Sequence, residues 1–297
     1  SKFQKLEIKH MNLAASVQLY FEKAVDKLIK HAIQITGFKK LCIAGGAALN
    51  CKSNGNLINS KIAEKIYVPP FPNDTGCSYG SAMALFSQEH SSNTLVKSSL
   101  LGPSFSNDNI KADLDLLQIK AEYVQEIEDV AANHVSNGKL VGWFQNRMEV
   151  GPRALGARSI LGDPRDPNIK KRINSKIKFR EDFRPFAPSV LQNKSSEYFD
   201  LPQESPFMSF TANVLQPSLL PGITHVDGTA RVQTVEKGTC YGNFLEAMEQ
   251  YTSHPVVLNT SFNYMGQPIV CTPKEAIYTF YGTGLDCLCI GNWLVKK

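Results

Sequence analysis

The alternation of apolar and polar positions divides the chain into predicted elements. Over 12–36, apolar side chains recur at helical spacing at Leu13, Val17, Tyr20, Phe21, Ala24 and Leu28, and Gly37 follows as a C-cap. A short apolar strand over 41–44 runs into Gly45-Gly46 and a segment able to form a helix. Ile66-Tyr67-Val68 predicts a second strand, closed by Pro69-Pro70. It delivers a loop with Asp74 and Gly76 that leads into a helix of small residues. Over 87–106 the composition shifts to Ser, Asn, Gly and Pro, which predicts a linker. Beyond it come a helix over 130–136 closed by Asn137-Gly138, a strand over 140–144 and a helix over 168–177. Pro185 and Pro188 stop any helix past Phe183. Strands are expected at 210–214, 230–234, 256–259 and 288–290, and a helix at 273–281 with Pro273 in its first turn. The pattern predicts two α/β (α+β) domains, 1–90 and 107–297, joined by a linker over 91–106.

Composition narrows the class. With 297 residues, 42% hydrophobic and 20% charged, the chain has globular values and enough length for a full core. No apolar run approaches the roughly 20 residues that span a bilayer, and SKFQKLEIKH lacks the apolar region of a signal peptide. The seven cysteines are scattered without a CxxC pair, and Cys287-Leu-Cys289 puts two thiols on one face of a strand. Reduced cysteines and a cytoplasmic location are expected. Charge is distributed unevenly. Residues 141–189 hold eleven Lys/Arg against five Asp/Glu, an excess of six, whereas the whole chain is only +5.

These basic residues sit among Gly and Pro, in GPRALG and FRPFAP, instead of along one helix face. A guanidinium fork on a rigid turn suits a phosphate or carboxylate, so Arg153, Lys178, Arg180 and Arg184 predict a pocket for a small polyanion. Lys170-Lys171-Arg172 with Lys176 read as a solvated helix face. The neighbouring Phe179, Phe183 and Phe186 leave open an alternative, an RNA- or nucleotide-binding module without catalysis. Gly45-Gly46 with Asn50 is either a tight turn or a phosphate-approaching backbone. Asp74 is either an N-cap or an oxygen ligand to a metal or a nucleotide hydroxyl. His225, Asp227 and Arg231 cluster at an Asp-Gly turn, where a hairpin is the plain alternative. Asn259, Thr260, Ser261 and Asn263 crowd the end of an apolar strand, either as a site wall or as a polar turn before Met265-Gly266. No HExxH, HxxxH or Walker-type GxxxxGK[ST] motif is present.

Six segments, LCIAGGAALNCKSNGNL, VPPFPNDTGCSYGSA, VGWFQNRMEVGPRALGARSILGDPRD, KFREDFRPFAPS, THVDGTARVQT and HPVVLNTSFNYMGQPIVCTP, together resemble the NodU-type O-carbamoyltransferase family. The likeness runs from the first helix to Asn292. It implies that 107–297 is a domain similar to the YrdC-like threonylcarbamoyl-adenylate synthases. Such a domain has a mixed, twisted sheet and makes carbamoyl adenylate from carbamoyl phosphate and ATP. It further implies that 1–90 is the C-terminal part of an actin-like/sugar-kinase-fold domain. That domain passes carbamoyl to a hydroxyl of a small natural-product or sugar acceptor.

Lys178-Phe179-Arg180 matches the family's KxR, and Ser261-Phe262-Asn263 resembles its SxN. The resemblance assigns Lys178, Arg153 and Arg184 to catalysis. It assigns Arg147, Arg180, Arg231, Asn259, Ser261 and Asn263 to binding ATP and carbamoyl phosphate. Gly45, Gly46 and Asn50 take the place of the nucleotide-binding turn, and Asp74 that of a metal ligand. ATP with Mg and a divalent metal, iron in the family, are the implied cofactors. The family's histidine pair is absent here, so the metal site would be incomplete, and full transfer would need the other half of the transferase domain as a partner. Neither membrane nor nucleic acid is expected as a partner.

Overall fold

The computed structural model describes residues 6–90 and 96–297. Residues 1–5, and the first five of the predicted linker, lie outside the described residues.

The first unit opens with α1 (Ile8–Thr36), ended by Gly37 as expected. β1 (Lys40–Cys42) and β2 (Lys65–Tyr67) pair in parallel around α2 (Cys51–Asn59), and α3 (Cys77–His90) follows. The core of this unit is small: Leu57, Ile58, Ala63, Ile66 and Val68, with Val25 and Ile29 of α1 packed against it. No residue of α1 is fully buried, and Leu13, Val17, Tyr20, Leu28 and Ile35 face outward.

The second unit contains α4 (Asn107–Leu116), β3 (Glu122–Tyr123), α5 (Ile127–Ser136), β4 (Val141–Phe144), β5 (Arg158–Gly162), α6 (Ile169–Ile173), β6 (Ala187–Leu191), α7 (Ser195–Tyr198), β7 (Phe199–Asp200), β8 (Phe210–Val214), β9 (Thr229–Val235), α8 (Cys240–Thr252), β10 (Val256–Ser261), α9 (Pro273–Tyr281), β11 (Cys287–Ile290) and β12 (Trp293–Lys296). Among the described residues its ten strands form one sheet in the order β3-β12-β11-β4-β5-β10-β6-β9-β8-β7. Only the β11–β4 and β6–β9 pairs are parallel, so the sheet is mixed.

The period-two alternation of the central strands decides which helices lie on which face. Phe144, Ile160, Leu258, Leu288 and Ile290 meet α4, α6 and α9 on one side. Val141, Trp143, Leu161, Val257, Cys287 and Cys289 meet α5 and α8 on the other. The expected shared face of the two thiols is therefore borne out, inside the core. Capping explains where the helices begin. Ser106–Asn109 and Thr272–Glu275 form capping boxes, and Pro273 occupies the first turn of α9. No described helix is long and apolar enough to cross a membrane.

The two units meet at the β8 edge of the sheet. Phe210 of β8 joins the first unit's core. The Asn54 amide donates to Ser209 O at 3.0 Å, and the Gln203 amide both accepts from Ile66 N and donates to Ile66 O. Lys52 reaches Asp227 at 2.9 Å. Burial alone would raise the pKa of Asp227, but hydrogen bonds from Thr229 and Lys52 outweigh it and bring the carboxyl to about 2. The Asp-Gly turn is real, with Gly228 N–H donating to His225 O. It is not a two-residue hairpin, because the connection from β8 to β9 spans 215–228.

Gly55 sits where α2 crosses β8, and a Cβ there would lie 2.4 Å from Thr211 O. Helix propensity predicts that Gly55→Ala stabilises the chain by about 1 kcal/mol, whereas the backbone clash predicts a loss. We expect the clash to dominate, with a net loss of ~1–3 kcal/mol in urea unfolding.

Candidate functional site

Four arginines converge on one cleft of about 290 Å³ at the ends of β10, β6 and β9. Arg153 comes from the turn before β5, Arg180 and Arg184 from the segment between α6 and β6, and Arg231 from β9. Asn259, Thr260 and Ser261 form its strand-end wall, and no Asp or Glu lines it. Burial lowers the pKa of Arg153. Burial, then the charge of Arg153, brings Arg231 down to about 10, so Arg231 remains a cation at neutral pH. Arg231 Nε is buried without a partner among the described residues. The Cys51 thiol, on the first turn of α2, lies beside both guanidinium groups.

Each cation is held by its own fixture. Arg180 Nε donates to Asn174 Oδ1 at 2.8 Å, and its guanidinium lies over the Phe186 ring. Arg184, at the rim, pairs with Glu181 at 2.9 Å and is half exposed. Lys178 is buried, and its ammonium donates to Ser261 O, Ser261 Oγ, Asn263 O and Asn263 Oδ1 within 3.1 Å. The KxR and SxN segments are thus knotted together by one side chain. Burial and the charge of Arg180 bring Lys178 down to about 7, against four acceptors that favour its protonated form.

The backbone around Lys178 is unusual. α6 does not end in an ordinary cap; it loosens into a π-helical turn over Asn174–Lys178 and then places Phe179 in the left-handed region at φ 45°. A bulky residue there is strained, and such strain gathers at functional sites. The turn lets Lys178 point inward while Arg180, two residues on, points into the cleft.

Matches to known proteins cover both units. The signature described as Carbamoyltransferase C-terminus matches 132–297, more than half of the chain, and that described as Carbamoyltransferase N-terminus matches 2–83. The chain belongs to the carbamoyltransferase family. It is 41% identical to nodulation protein NolO of Bradyrhizobium diazoefficiens, over 97% of this chain and 55% of that protein. It is 40% identical to nodulation protein NolNO of Sinorhizobium fredii, over 97% of this chain and 44% of that one. An uncharacterised Synechocystis protein is 40% identical over 97% of this chain and 52% of its own length. The chain therefore spans about half the length of the curated relatives it matches. Among solved structures, a double-alanine variant of P. abyssi Sua5 aligns at 17% identity and a TM-score of 0.40, over 56% of this chain and 49% of that one, a likeness too slight to carry weight.

Several predicted site residues of this chain lie elsewhere. Arg147 is exposed outside the cleft, with its guanidinium donating to Leu101 O and Gly102 O, where it fastens the linker. That linker is not loose over its described part: Gly102 N donates to Met148 O, and Val150 N to Ser99 O. The predicted solvated face is partly engaged, since Lys170 donates to Thr224 O and Arg172 bonds Asp166 and Gly138 O. Phe179 and Phe183 point outward, and only Phe186 is buried beneath an arginine. In the first unit, Gly45 donates its N–H to Pro72 O, and Asn50 caps α2 by accepting from Ser53 N while pairing with Gln18. Asp74 is exposed, and Asn73 occupies the cap position beside it. Among the described residues no three His, Cys, Asp or Glu side chains gather to hold a metal, so Asp74 alone does not make a metal centre.

Two buried ions that support the cleft escaped the sequence reading. Arg158 is 0% exposed, lies 3.6 Å from the Phe144 ring centre and donates to Gln145 O, Asn146 O and Ala157 O. Burial brings it to about 10, opposed by the charge of Glu149, which is itself buried. The GAR of GPRALGAR held the only hint, as the second arginine in a segment read for its first.

If the cleft holds an anion, Arg231 destabilises the empty protein. Arg231→Met should raise the melting temperature of the ligand-free chain, by the equivalent of about 1 kcal/mol. The same substitution should abolish the rise that inorganic pyrophosphate produces in the unsubstituted chain. A variant still stabilised by pyrophosphate would place the anion elsewhere.

Proposed function

We propose that this cleft forms carbamoyl adenylate from carbamoyl phosphate and ATP, and that it serves an O-carbamoyltransferase whose acceptor is a hydroxyl of a small molecule. The observation that carries the reading is the convergence of Arg153, Arg180, Arg184 and Arg231 on one cleft lined by no carboxylate. Cationic groups fixed in advance favour a reaction in which negative charge on phosphoryl oxygens must be neutralised. The cleft volume lies near the bottom of the ~300–1,000 Å³ typical of ligand pockets, which suits carbamoyl phosphate or pyrophosphate. The adenosine would extend beyond it.

Mass balance gives the steps. Water releases inorganic phosphate from carbamoyl phosphate, leaving carbamate. A carbamate oxygen then forms a bond to the α-phosphorus of ATP, and the bond to the β-phosphate oxygen breaks to release pyrophosphate. Arg153 and Arg231 would hold the phosphates, with Arg180 and Arg184 closing the opposite wall. Lys178 would keep Ser261 and Asn263 in place beside them. No side-chain nucleophile is required, because orientation and charge compensation supply the catalysis. Mg²⁺ would arrive with the phosphates of ATP. The divalent metal of the transfer step would need ligands besides Asp74, and no step here is routed through it.

On the same reading the first unit, with α1 only half covered, packs against the remaining half of a longer transferase, which would select the acceptor. Nucleic-acid binding is the weaker alternative, since the cations line a cleft instead of an open stripe.

Two measurements test the proposal. The chain should catalyse ATP–pyrophosphate exchange that depends on carbamoyl phosphate, and Lys178→Ala should abolish it. Undiminished exchange in that variant would remove Lys178 from the site, and no exchange in the unsubstituted chain would sink the adenylation reading. The second measurement concerns protons. With a pKa of about 7, Lys178 is mostly neutral near pH 8, and an arriving anion favours its ammonium form. Binding of carbamoyl phosphate at roughly pH 8 should therefore be accompanied by net proton uptake, read from calorimetric heats in buffers of different ionisation enthalpy. The uptake should vanish near pH 6, where Lys178 is already charged, and in Lys178→Met.

A further inference from the structure

The loop that carries Arg153 is held by a side chain that touches no part of the cleft. Glu149 is 4% exposed, and its Oε1 accepts three backbone N–H groups, from Leu155 at 2.7 Å, Ala157 at 2.7 Å and Arg158 at 3.2 Å. The carbonyls of the same loop are captured from other elements. Ala154 O accepts from Asn259, Leu155 O from Gln233, Gly156 O from the Trp143 indole and Ala157 O from Gln145 N. Gly156 takes φ +105°, and a Cβ there would lie 2.1 Å from the Tyr241 ring, so the turn has no room to relax. The stretch from Ala154 to Arg158 is thus pinned at nearly every peptide group, immediately after Arg153.

Glu149 is a costly way to obtain mere stability. It makes no ion pair within 4 Å among the described residues, and its Oε2 is buried without a partner. A lone buried acceptor costs on the order of 1–3 kcal/mol. What an ionised oxygen adds over an amide is grip, because charge-assisted hydrogen bonds are roughly twice as strong as neutral ones. One oxygen gathering three N–H groups also fixes the direction of the loop more tightly than separate partners would.

We propose that Glu149 is a positioning residue: by gathering the Leu155, Ala157 and Arg158 amides on one oxygen, it fixes the turn from which Arg153 meets the phosphate of the substrate. The assignment rests on the anion-site reading of the cleft and extends it from the groups that touch the ligand to the group that aims one of them. Of the four arginines that line the cleft only Arg153 stands on this turn, so Glu149 should act on the ligand chiefly through Arg153.

A double-mutant cycle tests this, with inorganic pyrophosphate as the probe and binding read by calorimetry on the full 297-residue chain. Glu149→Gln keeps the shape and weakens the grip. It should raise Kd on the order of tenfold to a hundredfold, the scale of an arm displaced by about 1 Å. In an Arg153→Ala background the same change should have almost no effect. Equal losses in both backgrounds would overturn the proposal, since a general loosening of the fold would weaken binding whether or not Arg153 is present. An unchanged Kd in folded Glu149→Gln would overturn it too. If Glu149→Gln does not fold, hydrogen exchange on the unsubstituted chain decides. The Leu155, Ala157 and Arg158 amides should be protected before any anion is added, and exchange at unstructured rates would overturn the preset turn. Absence of pyrophosphate binding by the unsubstituted chain, with these amides protected, would instead count against the anion-site reading itself.

Discussion

Like charges held close together, with a carboxylate partner for Arg184 alone and that one at the rim, govern this structure. Two guanidinium groups a few ångströms apart repel by on the order of a few kcal/mol at an effective dielectric constant near 20. The cleft holds four and lines itself with no carboxylate. Nothing in the cleft supplies the energy that keeps them there; it comes from contacts made behind them. Asn174 and Phe186 hold Arg180, the β9 ladder holds Arg231, and the pinned turn after Arg153 holds the third. On the proposed reading a polyanion would relieve this repulsion, and affinity would arise from preorganisation more than from new contacts.

The same constraint explains why the two units meet where they do. Cys51, at the start of α2, stands beside Arg153 and Arg231. Arg153 and Met208 line the cleft on one side and, on the other, a small gap bounded by Ala48, Leu49 and the prolines after β2. Gly55, the Gln203–Ile66 pairing and the Lys52–Asp227 bridge fix this contact at the β8 edge. The cleft thus borders the first unit even though its cations all come from the second.

Much of this was legible from residues alone, and the failures have physical causes. Strands β8 to β11 announced themselves by strand-like alternation, α9 by Pro273 in its first turn, and the cleft by basic residues on Gly/Pro turns. β6 went unread because Pro188 argues against a central strand. The β9 ladder begins only at Ser189, so the proline falls where one side of the strand has no partner yet. β5 was hidden because Arg158 and Ser159 are buried at its start, which breaks any apolar pattern. Arg147 and Arg158 cannot be told from Arg153 by composition, since what separates them is which carbonyls they find. Glu149 was invisible for a related reason: a carboxylate bonded to its own chain's amides looks in sequence like any surface acid.

The two units differ in how completely they are covered, and that difference bears on what each can do alone. The ten-stranded sheet has helices on both faces, and its central strands β4, β5 and β6 are buried throughout. The first unit has a two-stranded sheet and a 29-residue helix that buries no residue fully. Tyr20, 77% exposed, stands on that helix with Leu13, Val17 and Leu28. An apolar face of this kind loses free energy to water at about 25 cal/mol per Å² until something covers it. The cleft depends on the covered unit and on one edge of the uncovered one, the edge that is well packed. On the proposed reading, adenylate formation would draw on the covered unit and this packed edge, and the transfer step on the open side of the first unit.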